Sequence, residues 1–166
     1  DFSRALKLLI DRNPGLDRTA VAVLFVFERF KNTLGSLVPM LEDGIWAICD
    51  RYFDSELAYA AGHRVSFGGG IGHLMLEMVP KPDLTFLMDL PADEAMRRIL
   101  ARGERWGFQE NLETLSRARE EFLRLARERR DRRVVVLDGS RSVEDIQGEV
   151  RERTRELLEA EGGGGG

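Results

Sequence analysis

Apolar residues recur along this chain in two rhythms. In three short stretches they run almost unbroken: residues 45–49, 84–88 and 133–137, ending respectively at Asp50, Asp89 and Asp138. Runs of this kind, rich in branched side chains, suit strands covered on both faces. The intervals between them are far too long for hairpins, so the pattern predicts a parallel sheet with helical crossovers, an α/β fold. Elsewhere the apolar residues step by three or four, which predicts helices over residues 2–12, 18–42, 70–78, 92–102, 112–130 and 143–159. The second carries Val23, Phe27, Phe30, Leu34, Leu37 and Leu41; residues 20–27 alone would also pass for a strand, and the length of the periodic stretch favours helix. Pro14-Gly15 breaks the chain before it, Asp17 stands where it can cap the helix, and Asp43-Gly44 ends it. Ser142 and Asp145 have the spacing of a capping box. Residues 1–161 read as one domain without internal repeats, and the all-glycine residues 162–166 as a flexible end or linker.

Composition adds little at first: 43% hydrophobic and 33% charged residues are those of an ordinary soluble domain with a core. The longest apolar run, residues 20–27, is too short to cross a membrane, and the start shows no basic-then-apolar leader, so a cytoplasmic protein without a membrane partner is expected. Cys49 stands alone. It can form no intrachain disulfide, and without His or Cys at ligand spacing no structural metal site is expected; a small buried residue is its simplest role. The net charge of -4 gives no overall basic field for nucleic acid. Its distribution changes the picture, because residues 97–133 hold twelve arginines against seven acids, about +5, leaving about -9 on the remainder. Those arginines form either a helix surface laced with ion pairs or a cationic flap over a polyphosphate.

Ligands of parallel α/β sheets collect beyond the carboxyl ends of the strands. Asp50-Arg51-Tyr52 lies at such an end. A guanidinium there offers a planar fork of donors to phosphate, and a neighbouring carboxylate can sit near a metal or its water shell. Taken alone, the tripeptide is equally readable as a strand-end ion pair beside a packed tyrosine. Phe25 and Arg29, four residues apart, share a helix face on which a ring can stack on a base while the guanidinium donates to a carbonyl at its edge. Their plainer reading is a core phenylalanine and a surface charge.

The longer string Asp50-Arg51-Tyr52-Phe53-Asp54-Ser55-Glu56-Leu57-Ala58-Tyr59 resembles the monophosphate-site segment of the thymidylate kinases. Leu24-Phe25-Val26-Phe27-Glu28-Arg29 resembles that family's Phe-x-x-x-Arg helix, and Pro82-Asp83-Leu84-Thr85-Phe86-Leu87-Met88-Asp89 its next strand. The stretch from Arg117 to Ala126 resembles its post-lid helix, and Asp138-Gly139-Ser140-Arg141-Ser142 its last loop. The resemblance spans about Phe2 to Leu158 and implies a three-layer P-loop kinase fold transferring the γ-phosphate of ATP to dTMP, with Mg²⁺. It implies substrate contacts at Phe25 (base stacking), Arg29 (base carbonyl), Arg51 (phosphate), Ser55 and Tyr59 (deoxyribose). It further implies Asp50, Arg51, Arg102 and Arg105 as the catalytic set, Arg98, Ser140 and Arg141 on the ATP side, and a homodimer through long helices such as residues 18–42. Ser140 and Arg141 read equally well as an ordinary helix start.

Three departures from the family pattern stand out. The Gly-rich loop ending in Lys and Ser or Thr, whose amides and lysine hold ATP phosphates, is missing: the only lysines are Lys7, Lys31 and Lys81, and none follows a G-x-x-x-x-G spacing. The Gly-rich stretch at residues 68–72 has no following lysine and reads as a flexible turn. The expectation is a fold lacking its first strand and phosphate loop, by truncation or by loss, and inactive as this chain. Glu56 replaces a small polar residue facing the base, where an inward carboxylate would repel a monophosphate. The lid around Arg105-Trp106-Gly107-Phe108 is short. Two other functions fit the same residues: a non-catalytic nucleotide-binding module, and a deoxynucleoside kinase.

Overall fold

The computed structural model describes residues 2–13, 15–67, 74, 76–102, 111–128 and 133–162. The chain opens with α1 (Phe2–Arg12), then α2 (Arg18–Asn32), which passes through a π-helical turn (Thr33–Leu37) into α3 (Val38–Glu42). After a stretch without regular secondary structure come α4 (Phe53–Gly62), β1 (Leu84–Asp89), α5 (Ala92–Ala101), α6 (Leu112–Glu128), β2 (Arg133–Asp138) and α7 (Val143–Gly162). The strands β1 and β2 pair in parallel, from Leu84 opposite Arg133 to Asp89 opposite Asp138. This is a mixed α/β fold with a small parallel sheet. No helix among the described residues is long and apolar enough to cross a membrane.

Local chemistry explains most boundaries. Asp17 accepts hydrogen bonds from the amides of Thr19 (2.9 Å) and Ala20 (3.1 Å), satisfying two donors that the first turn of α2 leaves open. Asn111 does the same for Thr114 at the start of α6. Ser142 and Asp145 cap α7: the Asp145 amide donates to Ser142 Oγ, and that hydroxyl donates to the Asp145 carboxylate.

Among the described residues two apolar clusters form at the amino-terminal helices and the head of α4. Leu6 and Ile10 of α1 meet Val21 of α2. Val26, Phe53, Leu76 and Val79 form the second cluster, with Phe30, Tyr52, Leu57 and Phe67 packed around it; Phe30 and Tyr52 meet the Phe53 ring edge-on, at 4.8 and 5.1 Å between centroids. α4 lies closely along α6 because its facing residues are small: Ala58 is wholly buried, and a Cβ on Gly62 would come within 2.8 Å of the Thr114 carbonyl.

Several expectations are corrected here. Residues 45–49 form no strand; they have no regular secondary structure and are exposed, Trp46 at 68% and Ile48 fully. Their apolar run predicts burial only if a sheet covers it, and no described strand pairs with them. Cys49 is accordingly exposed rather than buried. The helix expected over residues 18–42 is continuous but not uniformly α, since the π-turn interrupts its hydrogen-bond register. Of the helix expected over residues 70–78, residues 74, 76 and 77 are helical; residues 68–73, including the Gly-rich stretch, lie outside the described residues, as do 163–166 of the tail.

Candidate functional site

One side of α2 is built for something other than core. Val21 and Val26 are buried, while Arg18, Ala22, Phe25, Arg29 and Asn32 follow one another at three- and four-residue steps and line a cleft of about 440 Å³. That volume is in the range of small-molecule sites, roughly 300–1,000 Å³. The facing wall is α4, with Ser55, Glu56 and Tyr59, and His63 just beyond it; Asp50 and Arg51 close one end from the turn that leads into α4. The cleft thus brings together Phe25, Arg29, Asp50, Arg51, Ser55 and Tyr59, the sequence-expected substrate residues and two of the catalytic set.

Arg51 has φ 66°, a left-handed conformation uncommon for a residue with a side chain. Such conformations persist where the surroundings enforce them and are frequent at ligand sites. Here the turn sets the Arg51 guanidinium 5.0 Å above the Tyr59 ring. Tyr59 is itself braced edge-on by Phe122 of α6, 6.1 Å away. The Ser55 amide donates to the Tyr52 carbonyl, and the residue is 8% exposed.

Glu56 does face the cleft, but its charge has a partner. Arg29 donates from Nε and Nη2 to a single oxygen, Glu56 Oε1, at 3.3 and 3.0 Å. The two side chains are 27% and 15% exposed. The repulsion expected of an inward acid is offset by this ion pair on the wall. At the other end of the cleft, Arg18 Nη1 lies 3.4 Å from His63 Nδ1. Burial first, and then the Arg18 charge, push the His63 pKa below its usual 6.5.

A second group of charges sits at the carboxyl end of the strands. Asp89 receives a two-pronged hydrogen bond from Arg119 of α6 at 2.7 and 2.9 Å, which holds its carboxyl below the usual range despite the neighbouring Asp138. Asp138 in turn accepts from the Ser140 amide and hydroxyl, which lower its pKa. The Gly139 amide donates to the Asp89 carbonyl at 2.7 Å, an approach that a Cβ would obstruct. Of the residues assigned to the ATP side, Arg98 binds Glu94 and the Gly139 carbonyl, Ser140 binds Asp138, and Arg141 binds Glu149. Arg98 and the loop carrying Ser140 and Arg141 are therefore neighbours. Arg102 is exposed at the end of α5, and Arg105 lies outside the described residues.

Sequence reasoning passed over Arg18, Asn32 and His63. The first two were legible, because they continue the face that carries Phe25 and Arg29. His63 reaches the cleft only through the length of α4. Arg119 lies in a stretch that carried a family resemblance but no role.

Comparison with known proteins shows the family. Residues 2–150 match the family model described as thymidylate kinase. The chain is 36% identical over 149 residues to the thymidylate kinase of Carboxydothermus hydrogenoformans, covering 87% of this chain and 71% of that protein. It is 34% identical over 158 residues to the thymidylate kinase of Chromohalobacter salexigens, covering 92% and 74%. A Pyrococcus abyssi protein named "Probable thymidylate kinase" is 32% identical over 157 residues, covering 90% and 74%. The chain belongs to the thymidylate kinase family, a family of phosphotransferases. Neither a non-catalytic module nor a deoxynucleoside kinase is favoured by these relatives.

Proposed function

We propose that the α2–α4 cleft is the acceptor site of a dTMP kinase, in which the γ-phosphoryl group of ATP passes to a dTMP phosphate oxygen to give dTDP and ADP. The observation that carries this reading is the convergence of Phe25, Arg29, Arg51 and Tyr59 on one cleft. Phe25 offers a ring for the base, Arg29 a donor to its carbonyl, and Arg51 a charged fork for the phosphate. Tyr59, held by Phe122, crowds the sugar so that deoxyribose is preferred; Ser55 adds a short polar contact. Arg51 also draws charge from the acceptor phosphate, as phosphoryl transfer rests on positioning and charge stabilisation.

On the donor side we assign Arg98, Ser140 and Arg141 to ATP, and Arg102 and Arg105 to the lid. Among the described residues no group of three acids, histidines or cysteines could cage a metal. Asp50 is a hard oxygen donor for Mg²⁺ carried on ATP phosphates, a setting in which one carboxylate suffices. The ion would neutralise phosphate charge there. We place the domain in the three-layer P-loop kinase architecture and, from the nucleotide substrates, in the cytoplasm. The exposed stripe Val23, Phe27, Leu34 and Leu41 supports a homodimer through α2 and α3.

Calorimetric titration of dTMP into the 166-residue chain tests the reading, with binding expected and its absence overturning it. No Gly-x-x-x-x-Gly-Lys string occurs in these residues, so a coupled ADP-release assay on this chain should show no turnover. Rates of about 1–100 s⁻¹, usual for kinases, would overturn that expectation.

A further inference from the structure

A cation and two rings stand in sequence beside the turn that leads into α4. Arg51 Cζ lies over the face of Tyr59, 5.0 Å from the ring centroid. Phe122 of α6 meets the same ring at 6.1 Å and an interplanar angle of 89°, edge to face. The Tyr59 hydroxyl makes no hydrogen bond to a described residue, so the ring is held by packing rather than by a polar tether. Phe122 is in turn fixed by the seating of α6. Three residues earlier, Arg119 grips Asp89 at the end of β1 with two hydrogen bonds of 2.7 and 2.9 Å. Its neighbour Ala118 lies so close to α4 that a Cβ on Gly62 would come within 3.3 Å of the Ala118 Cβ. A ring carried on a helix anchored at both residues cannot readily follow Tyr59 if that ring swings. The left-handed backbone of Arg51, at φ 66°, needs surroundings that enforce it, and the Tyr59 ring is one of them.

Resting on the acceptor-site reading above, we propose that Phe122 is a positioning residue for phosphate recognition: it holds the Tyr59 ring as a platform on which Arg51 meets the phosphate of the bound nucleotide. A cation over a ring face is attracted through its charge. The N–H donors of a guanidinium lie in its own plane, so stacking on a ring and donating to a phosphate are compatible. An arginine already placed loses less side-chain freedom when the phosphate arrives. Phe122 does not line the cleft, so it acts through Tyr59 rather than on the nucleotide. A leucine at this position would fill much of the same space but offers no ring to set the tilt of Tyr59. Substitution there separates positioning from the plain packing of α6 against α4.

The experiment measures dissociation constants for dTMP and for thymidine, which lacks the phosphate, with the 166-residue chain and its Phe122→Leu and Phe122→Tyr variants. The wild type should bind dTMP more tightly than thymidine. Phe122→Leu should lower that preference by about two- to fivefold, the size of one partly exposed cation–π contact, and Phe122→Tyr, which keeps a ring, should restore it. Phe122→Met, also without a ring, takes the place of the leucine variant if that one does not fold. A packing role alone would weaken both ligands alike and leave the preference unchanged. In the free protein, the side-chain proton resonances of Arg51, moved upfield by the face of Tyr59, should return toward ordinary values in Phe122→Leu and stay in Phe122→Tyr. If the wild type prefers dTMP and either the preference or the Arg51 resonances are unchanged in the ring-free variant, this inference fails and the acceptor-site reading stands. If the wild type binds dTMP no more tightly than thymidine, the acceptor-site reading fails at Arg51 and takes the inference with it.

Discussion

The cleft between α2 and α4 and the carboxyl end of the two strands are both rich in charge, yet they treat it differently. At the strand ends the charges close upon one another: Arg119 on Asp89, Arg98 on Glu94 and Gly139, Arg141 on Glu149, Ser140 on Asp138. In the cleft, Arg29 and Glu56 meet through one oxygen only, and Arg51 stands over the face of Tyr59 in a left-handed backbone conformation. Closed pairs hold loops in place. Half-engaged pairs on a concave wall leave donors and acceptors for a ligand, at a cost in stability that the packing beneath must offset. The contrast marks the cleft more sharply than total charge does, since none of the described arginines of residues 97–133 lines it.

That packing gives the largest expected effect. Phe53 is 2% exposed, sits at the head of α4 directly after Arg51-Tyr52, and is gripped edge-on by Phe30 of α2. Phe53→Ala should destabilise the chain by about 3–5 kcal/mol, measured by denaturant unfolding, because the ring leaves a cavity between the two walls of the cleft. A loss below about 1 kcal/mol would mean the walls are held apart by something else.

Arg51→Ala should come next. It should weaken dTMP binding by about 1.5–3 kcal/mol in calorimetric titration, the range for a hydrogen bond to a charged group, with little change in unfolding. Arg141→Ala, which breaks a closed pair, should leave dTMP affinity within about twofold, because a partly exposed ion pair contributes only about 0–1 kcal/mol and Arg141 does not line the cleft. Equal effects from both substitutions would erase the distinction between the two regions.

Much of this was legible from spacing. Phe25 and Arg29 fall on one face because a helix repeats every 3.6 residues, and the Asp17 cap follows from a side chain placed to meet open amides. The strands over residues 84–89 and 133–138 were visible as short apolar runs for the same kind of reason. Residues 45–49 show where spacing runs out: an apolar run states what would be buried under a sheet, not whether a neighbouring strand is there to cover it. The Glu56 outcome required coordinates, since an acid repels or assists according to whether a cation 27 positions away along the chain reaches it. The π-turn at Thr33–Leu37 leaves no trace in the periodicity, since Phe30, Leu34, Leu37 and Leu41 keep their three- and four-residue steps through it.

The smallest expected effect concerns His63, at the cleft's far end. Its folded-state pKa lies below the ordinary 6.5, through burial and the Arg18 charge. The unfolded chain therefore binds the proton more readily than the folded one. Stability from this group is present above about pH 6.5 and is lost as the pH falls from there through the lower folded value. The acids Asp89 and Asp138, whose pKa values are lowered from 3.8, act in a separate window below that value, since their contribution is present above it and disappears in stronger acid. Urea unfolding at pH 7.5 and pH 5 should thus show a decline that His63→Asn reduces, with the variant at pH 7.5 losing no more than about 1 kcal/mol, the centre of the range for point substitutions. Arg18→Gln should reduce the same decline by removing the neighbouring charge. If neither substitution alters the difference between the two pH values, the imidazole is not held neutral by its place beside Arg18, and the far end of the cleft is solvated like any other surface.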